Sequence, residues 1–220
     1  MVDLSSEEDL QKKFRFDYAK LQLLEKDLSD SPFDQFNDWF EAYVALNPSA
    51  PNAMTLSTVS EQGQPSSRVV LLSRFSKKGF VFFSHYLSQK GQDLSVNSRA
   101  CLQFFFVQQE RCIYVKGDVS KLSRKESLTY FRSRPRDSQI SALLSKQSQS
   151  VSHRDCLDSE FIFYKNKYEG KPIPLPKNWG GYCLRPIFFE FWQGRVSRLH
   201  DRLCYVQDKK GAWKINRLYP

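Results

Sequence analysis

Ala53-Met54-Thr55-Leu56-Ser57-Thr58-Val59 is followed by the turn residues Glu61-Gln62-Gly63-Gln64-Pro65. Then come Ser67-Arg68-Val69-Val70-Leu71-Leu72-Ser73, a second turn at Ser76-Lys77-Lys78-Gly79, and Phe80-Val81-Phe82-Phe83-Ser84. Three β-rich runs separated by such short Gly, Pro and Lys punctuation read as antiparallel hairpins, because a parallel crossover needs a dozen or more residues. Two further strands, Ala100 to Val107 and Cys112 to Lys121, meet at residues 108–111, and Trp213 to Leu218 closes the chain as a last strand. Many short strands with few intervening helices predict an α+β chain, mainly β, whose sheet closes wholly or partly into a barrel.

Helices flank that sheet. Ser31-Pro32 places an N-cap before a proline at the first helical position. Phe36, Trp39, Phe40, Tyr43 and Val44 follow at i, i+3, i+4, i+7 and i+8, so the helix lays an aromatic face on the core until Asn47-Pro48 ends it. Ser88 to Asn97 reads as one short helix. Ser123-Arg124-Lys125-Glu126 is a capping box opening a helix through Tyr130 and Phe131. Pro135 ends that helix near Arg134, and a second begins around Arg136. A further helix of mixed polarity opens at 152–155 and ends by Gly170. The first thirty residues can form a helix with a weak core face. Arg15 and Tyr18 share one side of it, and the segment reads equally as a frayed terminus.

The 220 residues suit one domain, with 1–30 as a flexible N-terminal segment and 31–220 as the folded unit. Net charge is +9 and the pI is near 9.3. The cations are scattered and form no basic arm, so they suit small phosphorylated ligands, with neither nucleic acid nor membrane as the expected partner. Five cysteines without CxxC spacing suggest neither a disulfide framework nor a zinc site. The acidic start lacks a signal peptide's basic and apolar regions, and the cytoplasm is the expected compartment.

Three groupings carry chemistry. Tyr130, Arg134 and Ser138 are spaced by four at a helix junction, where two hydroxyls and a guanidinium can hold a phosphate, or a basic turn can simply meet water. Phe189 and Phe191, then Leu199 and Leu203, read as two strands joined by a Gln193-Gly194 turn. On the second strand Arg198, His200 and Arg202 fall on one face, as an anion site or a solvated polar face. No nucleophilic triad, P-loop, Rossmann glycine run or metal cluster is present. Cationic sites without a strong nucleophile point to a bound cofactor.

Phe-Trp-Gln-Gly with Arg-Leu-His-Asp-Arg (residues 191–202) resembles the C-terminal signature of the pyridoxamine 5′-phosphate oxidase family. So do Ser66 to Leu72, Tyr130 to Ile140, Ser145-Lys146-Gln147-Ser148 and Pro174 to Gly181, in the family's order. The resemblance implies an FMN-binding split β-barrel with flanking helices, active as a homodimer. FMN would be held by Arg68, Val69, Val70, Leu71, Phe83, Ser84, Lys90, Gln147, Ser148, Trp192 and Arg202. Pyridoxamine or pyridoxine 5′-phosphate would meet Tyr130, Arg134 and Ser138, face Arg198 and His200 as catalytic residues, and be covered by Arg15 and Tyr18. The implied reaction oxidises the vitamer to pyridoxal 5′-phosphate and reduces O2 to H2O2. Three positions depart from the pattern: Ser73 replaces a lysine, Gln89 an arginine and Cys112 a glutamine. Arg74, Lys77 and Lys78 are candidates to replace the lost lysine. A non-catalytic flavin- or pyridoxal-phosphate-binding protein of the same fold is the alternative reading.

Overall fold

A computed structural model describes residues 18–220. Arg15 lies outside the described residues, as does most of the N-terminal segment read as a helix. Within residues 18–30 the only helical turn is a 3-10 turn, Glu25–Asp27.

Nine strands form one antiparallel sheet: β1 (Ala53–Val59), β2 (Pro65–Leu71), β3 (Arg74–Ser76), β4 (Gly79–His85), β5 (Arg99–Phe106), β6 (Arg111–Lys121), β7 (Trp179–Gln193), β8 (Asp201–Gln207) and β9 (Trp213–Leu218). Their order is β2-β1-β5-β6-β7-β4-β3, with β8 on β7 and β9 on β8. Strand β7 organises the sheet. Its residues from Tyr182 to Gln193 pair with β6, while its other edge takes β4 at Trp179–Leu184 and β8 at Phe188–Gln193. Pro186, which has no N–H for a ladder, sits at the register shift opposite Gly117. The sheet curls until β2 approaches β4 without pairing to it, giving a partly closed barrel.

Among the described residues five helices flank it: α1 (Pro32–Val44), α2 (Gln89–Val96), α3 (Arg124–Ser133), α4 (Arg136–Leu144) and α5 (Arg154–Lys167). Helix α1 places Phe36 among Phe75, Phe80 and Phe104, with ring centroids 4.8–5.0 Å away. Trp39 meets Phe191 edge-on at 5.2 Å. Burying a ring such as Phe36 stabilises by roughly 1.5–3 kcal/mol. Val44 was expected on this face but is 42% exposed, because its position in the last turn rotates past the sheet. A smaller cluster of Phe131, Ile140, Ala142, Ile173 and Trp179 lies under α3 and α4. The strand expected to carry Arg198 and His200 does not reach them. Residues 194–200 are a connection whose Ser197 and Arg198 have φ of 56° and 62°, and β8 starts at Asp201, so the three residues do not share a strand face.

The docked part of the N-terminal segment is pinned electrostatically. Leu23 is 2% exposed. Its N–H donates to Asp201 Oδ2, and its carbonyl accepts from Arg217, which also binds Glu25 and Asp201 Oδ1. Arg217 holds the Glu25 carboxyl down at about 2. Burial raises the Asp201 pKa, but the Leu23 N–H, Arg217 and Arg195 outweigh it and leave the group below its usual range. Both folded pKa values are depressed, so this contribution is complete above the unfolded carboxylate pKa of about 4 and disappears as pH falls through the folded values. Thermal melts between pH 5 and pH 2 should show Tm falling steeply, with a shallower fall in Asp201→Asn. Equal slopes in the two proteins would refute this assignment.

No helix among the described residues is long and apolar enough to cross a membrane.

Candidate functional site

The richest cavity, of about 380 Å³, opens where β2, β4, α2 and the α3–α4 junction meet. It is lined by nine of the residues expected to bind cofactor or substrate: Val69, Val70, Leu71, Phe83, Ser84, Lys90, Gln147, Tyr130 and Arg134. Its floor is aromatic. Phe83 stacks on Tyr130 at 3.7 Å and on Trp179 at 5.5 Å. Gly181 permits this close approach, since a Cβ there would sit 2.8 Å from the Phe83 ring.

Two cationic centres mark the cavity walls. On one, the Arg134 guanidinium lies 4.8 Å over Trp179, and its Nη1 is buried with no hydrogen-bond partner. An orphaned buried guanidinium nitrogen costs stability unless a ligand supplies an acceptor. Burial pulls the Arg134 pKa down, though a guanidinium stays charged at any physiological pH. On the other wall, Lys90 Nζ donates to Gln147 Oε1 at 2.8 Å, and Ser84 Oγ donates to the same oxygen at 3.1 Å. Gln147 therefore keeps its amide N–H groups for a ligand. Lys90 stands in the first turn of α2, whose Gln89 and Gly91 N–H groups are already taken by Ser148 Oγ and Ser88 Oγ. Its pKa is lowered by burial and then by the charge of Arg68, with Asp93 opposing.

Arg68 is adjacent but absent from the cavity lining. It is held by Leu56 O, Thr58 and Ser66 at 2.5–3.2 Å. Ser148 adopts φ 73° and accepts the Gln89 N–H at 3.2 Å. Ser138 is half-buried and does not line the cavity; from this part of the chain Ser141, Ala142 and Ser145 do, one and two turns further on. Sequence reasoning missed those residues and His85. The His85 Nδ1 accepts the Leu87 N–H at 3.2 Å, leaving Nε2 as the protonated nitrogen, and its pKa is lowered by burial and by Lys90. Its only sequence signal was adjacency to Ser84.

The departures resolve differently from expectation. Arg74 pairs with Glu126 at 3.3 Å, Lys77 lines a separate cavity beside Trp213, and neither they nor Lys78 line the main cavity. Gln89 turns back to donate to Asp93 at 2.8 Å. Cys112 is buried and accepts from Gln103 Nε2 at 3.4 Å.

Trp192 and Arg202 line a second cavity of about 460 Å³ with Cys101, Tyr114, Lys116, Glu190 and Pro220. Arg202 Nε donates to Glu190 at 2.7 Å. His200 lies 4.7 Å from Trp192, and Tyr18 meets both rings edge-on at 5.5–5.6 Å. The Arg195 N–H donates to His200 Nδ1 at 3.1 Å, placing the ring proton on Nε2. Burial and then Arg198 lower the His200 pKa, so the ring is neutral near pH 7. Trp179 and Trp192 stand at the two ends of β7, about 40 Å apart along an extended strand. The expected site is thus divided between two places on one chain.

The family profile described as pyridoxamine 5′-phosphate oxidase matches residues 40–161, and that described as pyridoxine 5′-phosphate oxidase C-terminal dimerisation region matches residues 179–220. Proteins named pyridoxine/pyridoxamine 5′-phosphate oxidase are similar over 94% of this chain: 48% identical in Acaryochloris marina, covering 94% of that protein, and 47% identical in Bordetella petrii, covering 97%. The chain belongs to the pyridoxamine 5′-phosphate oxidase family. Among solved structures, PhzG from Burkholderia lata, in complex with tetrahydrophenazine-1-carboxylic acid, superposes with a TM-score of 0.85 at 26% identity, over 92% of this chain and all of that one. A pyridoxamine 5′-phosphate oxidase-related, FMN-binding protein from Nostoc punctiforme gives a TM-score of 0.69 at 14% identity, over 88% and 100%, a likeness of fold. The fold is therefore the family's split barrel. PhzG shows that family members also take other ligands.

Proposed function

We propose that this protein is an FMN-dependent oxidase that converts pyridoxamine or pyridoxine 5′-phosphate to pyridoxal 5′-phosphate. The observation that carries the reading is a single cavity with two separate cationic walls, Lys90 beside Gln147, and Arg134, whose buried Nη1 has no hydrogen-bond partner. Cofactor and substrate each bear one phosphate, so two such walls match the pair. The relatives' names support the same substrate class.

Lys90, Gln147 and Ser84 would hold the FMN phosphate and ribityl chain, with Arg68 and Ser148 behind them. Arg134 and Tyr130 would fix the substrate phosphate. FMN, when bound, supplies the two-electron acceptor, and dioxygen takes those electrons to leave hydrogen peroxide. The protein's share is orientation and charge. Neutral His200 can donate from Nε2 to the substrate, and Arg198, which is exposed, can stabilise an anionic ring oxygen.

Those two residues reach the cavity from a second copy. Val69, Thr55, Gln103, Tyr114 and Glu190 form one register row across the outer sheet face, from the main cavity to the second one. Val69 is 68% and Phe105 53% exposed on that face, with Leu71 and Val107 also exposed. A two-fold axis through the row would lay each cavity of one copy on the other cavity of its partner. Such a homodimer completes two sites at once.

Purified protein given FMN and desalted should retain the flavin absorbance band and produce peroxide with at least one phosphorylated vitamer. Retained flavin without peroxide would replace the oxidase with a non-catalytic binding protein. No retained flavin would end the oxidase reading and leave only the pyridoxal-phosphate-binding alternative.

A further inference from the structure

Behind the Lys90 wall lies a buried carboxylate that no ligand contact explains. Asp93 is 2% exposed. Its Oδ2 accepts from Thr58 Oγ1 at 2.6 Å and from Ser66 Oγ at 3.1 Å, and its Oδ1 accepts from Gln89 Nε2 at 2.8 Å. The two hydroxyls are also the acceptors that hold Arg68: Nη1 donates to Thr58 Oγ1 at 2.7 Å and Nη2 to Ser66 Oγ at 2.5 Å. Arg68 Nη2 itself stands 3.9 Å from the carboxylate.

A hydroxyl has one proton. The carboxylate accepts the hydrogen bond that each hydroxyl donates and so turns their lone pairs toward the guanidinium. The direction of both relays is set by Asp93. Charge acts the same way: burial and then Arg68 lower the Lys90 pKa, burial lowers that of Arg68, and Asp93 is the anion that opposes both shifts. Burial raises the Asp93 pKa, but the bonds from Thr58, Gln89 and Ser66, with nearby Arg68, hold it below the usual carboxylate range. The carboxylate therefore stays charged throughout the neutral range.

We propose that Asp93 is the positioning residue of the cofactor-phosphate clamp, aiming Arg68 through Thr58 and Ser66, and that Gln89 serves this carboxylate rather than the ligand. The inference rests on the FMN reading above and deepens it. It explains why an uncharged residue is tolerated at 89: the side chain there fills the remaining acceptor of Asp93 and leaves the anion wall to Lys90 and Arg68.

Riboflavin separates positioning from folding, because it carries the ring and ribityl chain without the phosphate. Flavin-fluorescence titrations of the full chain, as wild type, Asp93→Asn and Ser66→Ala, give the affinity for FMN and for riboflavin. Expected is a tenfold to hundredfold loss of FMN affinity in Asp93→Asn and a several-fold loss in Ser66→Ala, with riboflavin affinity within twofold of wild type in both. Ser66 lies on the edge strand β2, and its variant tests the relay should Asp93→Asn fail to fold. Unchanged FMN affinity in either folded variant overturns the inference, as does equal loss of both flavins, which marks a structural role. Wild-type protein that binds FMN no better than riboflavin overturns the clamp itself and, with it, the proposed cofactor reading.

Discussion

Arg134→Met is expected to raise the KM for the phosphorylated vitamer by about a hundredfold or more while FMN retention stays at the wild-type level. Each charge-assisted hydrogen bond to a phosphate is worth roughly 1.5–3 kcal/mol, and the guanidinium fork can make two, so the loss corresponds to a factor of about 10² to 10⁴. Methionine keeps much of the stem volume against Trp179, which limits collapse of the cavity wall. The buried Nη1 has no partner in the ligand-free chain, so its removal sacrifices no internal hydrogen bond and the fold should tolerate it. Arg134→Lys should restore only part of the affinity, because an ammonium neither stacks flat on Trp179 nor binds bidentately. Steady-state kinetics with KM and kcat resolved separately decide the matter. A KM within threefold of wild type would remove Arg134 from the substrate site.

Mixed dimers should recover activity that neither parent has. Arg134→Met damages the main cavity, and Arg198→Ala damages the connection beside Trp192, at the far end of β7. If each site takes one half from each copy, a homodimer of either variant has two damaged sites. A mixed dimer has one site with both changes and one with none. Random pairing makes half of the dimers mixed, so activity should return to about a quarter of wild type. Arg198 is exposed and its replacement carries little risk to folding. Coexpression with two different affinity tags isolates the mixed species. Tagged mixed dimers that remain as inactive as their parents would show that one chain carries a complete site, or that the copies meet through another face.

Local chemistry made much of this molecule legible. Alternation delimited β1 at Ala53–Val59 and β9 at Trp213–Leu218, the residues that form those strands. Ser31-Pro32 marked the start of α1, and Pro135 separated α3 from α4, with Arg134 at the cap between them. The cavity residues taken from motif resemblance converge for the same reason: Ser66 to Leu72, Phe83-Ser84 and Tyr130 to Arg134 each lie on an element whose ends the sequence marks. Arg198 and His200 were misplaced because spacing of two implies one strand face only where the backbone stays extended, and two successive left-handed residues break it at Ser197 and Arg198. Neither residue is glycine, so composition offered no warning.

By itself the sequence determined the elements, the family and the residue types available for binding phosphate, since propensity, capping and alternation act within a few residues. Only the tertiary structure decided that β4 and β8 share one edge of β7 and that Trp179 and Trp192 stand at its opposite ends. It alone decided that Arg134 Nη1 is buried without a hydrogen-bond partner, and that Asp93 on α2 meets Arg68 on β2 through a hydroxyl of β1. These are contacts between residues tens of positions apart, chosen by which faces bury together, and no local pattern encodes that choice.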